Sequence, residues 1–309
     1  MQLFCAGKEE GNPVPLGKER KGGTRMQKIK SSVLEGMIKA GVTSKEFDFL
    51  IYISRYQDEG GRVEGVHYKD VCGEMGISVQ GFYDTKSSLE EKGIISTGKS
   101  SRIDHDITII GNSFEGVEDF GESYINTNHN IFQCREFYAL KAGTKLLAME
   151  MMKISYAGQG KAVIGKDRFY EKYCGMFQVS RRIMRSYLMQ LKAFFSVGLK
   201  DGKYYITPLV KVYRKPGTKT ENERYAEHQA KTICRRYRMD VTDDKAISDT
   251  AKLAAQYKRA ACQAGKDVWI LLREAVGKSL DMLNGACHTY RIRTIKPKLI
   301  HKIMKEALA

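Results

Sequence analysis

The chain has 309 residues, 42% hydrophobic and 28% charged, with 52 lysines and arginines against 36 acidic residues and a net charge of +16. That composition predicts a globular chain and not a disordered one, and implies a polyanionic partner, either nucleic acid or an acidic membrane surface. With no apolar run of the roughly 18–20 residues that cross a bilayer and no basic flank leading into an apolar N-terminal segment, a cytoplasmic, nucleoid-associated protein is expected.

Residues 6–30 are rich in Gly, Pro and Lys and lack an apolar period, so residues 1–30 are expected to form a basic mobile arm. Next comes a helix near 31–40. A longer helix, opened by Thr43 or Ser44 and running to about Gln57, carries Phe47, Leu50, Ile51 and Ser54 on one face. After the turn at Gly60-Gly61 follow a short helix (68–75), a turn at Gly76, a helix over 79–92 capped by Ser78, and two β runs at 94–97 and 106–110. Helix, helix, turn, helix, hairpin is the order of a winged helix, here over 31–112.

Residues 120–213 repeat the plan: a strand in "SYINTN", helices at 133–139, 143–156, 166–174 and 180–194, and a hairpin over Val197–Ile206 with Asp201-Gly202 at its turn. At a constant offset of 102, Tyr68, Cys72, Gly73, Ile77, Ser78 and Leu89 face Tyr170, Cys174, Gly175, Val179, Ser180 and Leu191. The expected roles are a small residue where two helices approach, an apolar plug in the turn, a serine cap and a leucine anchor. The fold class expected is therefore mainly α with small β-hairpins: two tandem winged helices followed by an all-helical domain over 220–309, after the break at Pro216-Gly217.

In a helix-turn-helix unit the second helix lies in the major groove. With Ile183, Met184, Tyr187, Leu188 and Leu191 turned inward, Ser180, Arg181, Arg182, Arg185 and Ser186 face outward near the start of the second copy's helix, where arginine disfavours the isolated helix and suits an arriving anion. Lys200 and Lys203 flank the hairpin turn as expected phosphate contacts. The first copy has Gln80 and Tyr83 on the matching face, beside Asp84, Ser87, Ser88 and Glu91; Gln80 suits an adenine edge, and either Lys99, Arg102 and His105 on its hairpin meet phosphate or the module serves chiefly as a protein contact, with His105 an exposed loop histidine. Double-stranded DNA is the expected partner, and no membrane, whose surface would call for the cations along a long amphipathic helix and not on a recognition helix.

Two successive winged helices over about 44–213, with "YINTNHNIFQCREFYALKAGTKLLAMEMM" opening the second, resemble plasmid and phage replication initiators. The resemblance implies binding to repeated or palindromic origin DNA, a homodimer in which one winged helix also serves dimerisation, and contact with replication machinery. Transcriptional repressors of mobile elements use the same modules and would engage transcription machinery instead. The helical residues 220–309 lie beyond the resemblance. There, "KTICRRYRM" puts Arg235, Arg236 and Arg238 at a helix end, as DNA contacts or as solvated cations that the helix dipole favours. Leu299, Ile300, Ile303, Met304 and Leu308 form one stripe after Pro297.

No Walker lysine motif, G-x-S-x-G or H-E-x-x-H occurs, so no enzyme and no cofactor are expected. For a recombinase or nickase, Tyr290 beside Arg291 and Arg293 is the tyrosine to test. The seven cysteines include no C-x-x-C, and Cys287-His288 has no second pair at ligand spacing, so no metal is expected.

Overall fold

The structure, a computed structural model, describes residues 27–99, 104–115, 123–158, 160–213, 219–285 and 293–308. It is mixed α+β, with small antiparallel sheets followed by helices. Strand β1 (Lys28–Lys30) leads into α1 (Ser31–Lys39), α2 (Ser44–Ser54), β2 (Arg62–His67), α3 (Tyr68–Met75), α4 (Val79–Glu91), β3 (Ile95–Lys99) and β4 (Asp104–Ile109). Then come β5 (Tyr124–Asn126), α5 (Arg135–Tyr138), α6 (Ala142–Ala157), β6 (Ala162–Gly165), α7 (Lys166–Phe177), α8 (Arg181–Gln190), β7 (Phe195–Lys200) and β8 (Lys203–Pro208).

The order α-β-α-α-β-β therefore occurs twice, from α2 to β4 and from α6 to β8. Each copy closes a three-stranded antiparallel sheet, β2-β4-β3 in the first and β6-β8-β7 in the second. The leading strands β2 and β6 are not legible in the sequence. The first is interrupted by a register shift between Val63 and Val66, and the second is only four residues long, so neither shows the alternation that marks a strand.

The repeat at offset 102 keeps some of its expected roles. Ser78 and Ser180 cap α4 and α8, accepting from Gly81 N at 3.0 Å and Ile183 N at 3.4 Å, and Leu89 and Leu191 are fully buried. The glycines do not mark a close helix approach: Gly73 and Gly175 are exposed, and a Cβ built on either meets nothing within 4 Å. The glycine that matters lies at the end of α3, where Gly76 has φ 64°; in the second copy Gln178 occupies the same left-handed position with φ 51°. A Cβ is unfavourable there, so Gln178→Gly is expected to stabilise the fold by about 0.5–1 kcal/mol, net of the glycine's greater freedom when unfolded, as a rise in the denaturant midpoint will show.

The two copies share one hydrophobic core that runs from Ile29 to Val212. The sequence pattern gives helix α2 one buried face, but Glu46 to Ser54 are all buried, because α6 packs on the side that an isolated copy would leave in water. Lys145 of α6 crosses this contact to Asp48 of α2, with Nζ 2.7 and 2.8 Å from the two carboxylate oxygens. Strands β1 and β5 pair with each other, joining the segments that lead into each copy. Residues 27–30, expected in the mobile arm, instead belong to this sheet region, and buried Gln27 donates to the Arg55 carbonyl at 2.8 Å. Residues 1–26 lie outside the described residues, as does the Pro216-Gly217 break.

Among the described residues four helices follow: α9 (Glu221–Arg236), α10 (Asp244–Gln263), α11 (Val268–Gly285) and α12 (Pro297–Glu306). They enclose a second core that includes Ile233, Leu253, Leu271, Leu272, Val276, Ile300 and Met304. The apolar stripe of α12 is spent here, with Ile300, Ile303 and Met304 buried.

The bundle does not stand apart from the first copy. Helix α9 lies against β2, where His228 Nε2 donates to the Glu64 carbonyl at 2.8 Å, and Arg235 pairs with Asp70 of α3 and, at 3.6 Å, with Asp104 of β4. Burial holds His228 down to about 4, so the ring is neutral at pH 7. Close approach depends on Gly65, which has φ 68° and whose added Cβ would fall 2.1 Å from Thr232 Cγ2. Thr232 is buried and β-branched and cannot swing aside. Gly65→Ala is therefore expected to cost about 2–4 kcal/mol, seen as a lower thermal midpoint.

Candidate nucleic-acid interface

Helix α8 presents its face by a simple division of labour. Met184 and Leu188 are buried and Tyr187 lies against α6, where a Cβ on Gly143 would come within 2.6 Å of its ring. Ile183, expected inward, is 43% exposed, because at this helical angle it clears the core beside Arg182. The outward side carries Arg181, Arg182, Arg185 and Ser186, all exposed.

These groups differ in how they are held. Arg181 lies over the Tyr170 ring at 5.6 Å and 3.6 Å from the Asp167 carboxylate; both charged groups are largely exposed, so the ion pair contributes little. Arg182 and Arg185 form no ion pair among the described residues. Behind Arg185, the Tyr170 and Tyr204 hydroxyls meet at 3.0 Å and tie α7 to β8; burial and this hydrogen bond push Tyr204 up to about 12, against the Arg185 charge. Ser186 Oγ accepts from Gln190 at 3.3 Å.

The second hairpin places Lys200 opposite Lys203, both exposed, around Asp201 and Gly202, whose φ values of 49° and 69° make the tight turn. Lys161, which carries no motif signal in the sequence, lies over the Tyr205 ring at 4.7 Å beside the same sheet.

The first copy is built alike and charged differently. At the offset of 102, Arg181, Arg182 and Arg185 stand where the first copy has Val79, Gln80 and Tyr83. Val79 and Tyr83 are exposed apolar side chains, and the Gln80 amide is spent on Asp84 at 2.6 Å. Ser186 stands in place of Asp84, which takes a carboxylate off that face. His105, expected to reach phosphate, is only 8% exposed and packs under the Phe82 and Tyr83 rings, because it faces the core side of β4. Lys99 closes β3, but its side chain and all of Arg102 lie outside the described residues, as do Tyr290 and Arg291. Arg235, expected as a DNA contact or a solvated cation, is neither: it is buried in the α9 contact.

No family model, curated protein or solved structure matches this chain. Among the described residues no three His, Cys, Asp or Glu side chains come together to hold a metal ion, and no helix is long and apolar enough to cross a membrane.

Proposed function

We propose that the protein binds double-stranded DNA through two tandem winged helices, with α8 of the second copy as the helix that enters the major groove and the β7–β8 hairpin as its wing. One observation carries the reading: a scaffold written twice in the chain is cationic on its outward helix once only, where arginines stand for Val79, Gln80 and Tyr83. Nothing in the packing asks for those arginines, since they are exposed, and two of them have no ion partner among the described residues. Guanidinium groups at the N-terminal end of such a helix match guanine edges and phosphates.

The first copy, with exposed Val79 and Tyr83 on the matching face, then serves for contact between protomers in a homodimer. The resemblance of residues 44–213 to plasmid initiators makes repeated origin DNA of a mobile element the proposed target, with a repressor of such an element as the alternative role.

Selection of bound sequences from a random duplex pool tests the proposal. The intact chain should enrich a short motif, and Arg182→Ala with Arg185→Ala should erase part of it; enrichment of an identical motif by the variant would remove α8 as the reading helix.

A further inference from the structure

A second cationic surface forms where α9 ends. The residues that follow it and the segment before α12 are far apart in sequence but meet at a bridge between Asp240 and Thr294, with Asp240 N donating to the Arg293 carbonyl at 2.8 Å. The bridge sets Arg238 and Arg293 each within two residues of the joined pair. Arg236, Arg238, Arg293 and Lys296 are all exposed, and none forms an ion pair among the described residues. The acid on the bridge, Asp240, is taken up by Thr242, accepting from its N at 3.0 Å and its Oγ1 at 2.8 Å.

The helix dipole accounts for Arg236 in the last turn of α9, but not for Arg293 and Lys296, which come from another segment. Nor does it account for Arg238. That residue follows the C-cap of α9 with φ 59°, the left-handed position that glycine fills at least cost, and the amides of Arg238 and Met239 turn back onto the Arg235 and Cys234 carbonyls as such a stop requires. A long cationic side chain is kept where the backbone favours none.

We infer that Arg236, Arg238, Arg293 and Lys296 form a phosphate-binding surface by which the C-terminal bundle holds a duplex backbone. The inference rests on the DNA reading above. It gives the bundle a share of the affinity without base discrimination, since cations facing phosphates position a protein and carry no sequence information directly.

Arg238→Gly separates this role from a structural one, because the two effects have opposite signs. The variant should melt roughly 1–3 °C higher, relieved of left-handed strain, and yet bind duplex more weakly. Together with Arg236→Ala it should reduce the slope of log affinity against log salt by about 1.8, near 0.9 for each phosphate no longer neutralised, while the selected sequence motif stays the same. Unchanged affinity and slope in a folded variant, with the intact chain binding normally, would overturn the inference and leave α8 untouched. Loss of binding in Arg182→Ala/Arg185→Ala with no effect at Arg236 and Arg238 would overturn it equally. Failure of the intact chain to bind any duplex would overturn both readings. Loss of retention on anionic phospholipid vesicles by Arg238→Gly, with duplex binding intact, would assign the surface to a membrane and overturn the inference as well.

Discussion

Lys145→Met is expected to destabilise the protein by about 3–5 kcal/mol at pH 8, and by much less at pH 5. Lys145 is fully buried, with Nζ placed 2.6 Å from Ser44 Oγ, 2.9 Å from the Tyr138 carbonyl and within 2.8 Å of both Asp48 oxygens. Methionine fills the stem but leaves Asp48 without its counter-ion at the seam between the two copies. Burial already pushes Asp48 up from 3.8 to about 6 despite Lys145 and Arg55. A folded-state pKa above the unfolded value means that the group's stabilising contribution is complete below about 4 and is lost as pH rises through 6. Without Lys145 the folded value climbs further. At pH 5 the carboxyl is then protonated and tolerated, whereas at pH 8 it is a buried charge. Urea unfolding at the two pH values measures the difference, and an equal deficit at both would mean that poorer packing, not the orphaned carboxylate, is responsible. Adding Asp48→Leu should recover most of the loss at pH 8, because a buried pair replaced whole by apolar groups is often neutral.

What the sequence discloses follows from which forces act locally. Serine caps, the glycine stop after α3 and the Asp201-Gly202 turn are written within a few residues and appear as anticipated, as does the 3.6-residue spacing of α8 and α12, save that Ile183 of α8 turns outward. The three arginines on the exposed side of α8 are legible for the same reason. Pairing between distant segments is not. Strand β1 gains its meaning only from β5, about a hundred residues away; β2 is broken by its irregular register; and nothing local announces that Lys145 will meet Asp48 or that α9 will close over Gly65. His105 and Arg235 read as solvent-facing for want of the same information: a histidine under two aromatic rings and an arginine between two aspartates need partners that no short window contains.

Replacing both Arg182 and Arg185 by alanine is expected to weaken binding to a selected duplex by about 2–4 kcal/mol, on the scale of 1–3 kcal/mol for each good base-reading pair. These two are chosen over Arg181, which keeps Tyr170 and Asp167 as neighbours and so has less freedom to turn to DNA. Both are exposed, and neither has an ion partner among the described residues to leave unpaired, so stability should change by no more than about 0.5 kcal/mol. A loss of affinity with unchanged melting temperature is therefore the expected pattern. The matching pair in the first copy, Gln80→Ala with Tyr83→Ala, should leave affinity for a single half-site nearly unchanged if that face joins protomers.

The most direct test of the α8 assignment is a salt titration of binding to one selected duplex and to a scrambled duplex, for the intact chain and for Arg182→Ala/Arg185→Ala. If α8 reads bases, the variant will lose affinity for the selected duplex by far more than for the scrambled one, and the gap between the two will collapse at every salt concentration. Equal weakening on both duplexes would show that the arginines meet only phosphate, and no weakening on either would contradict the placement of α8 against DNA.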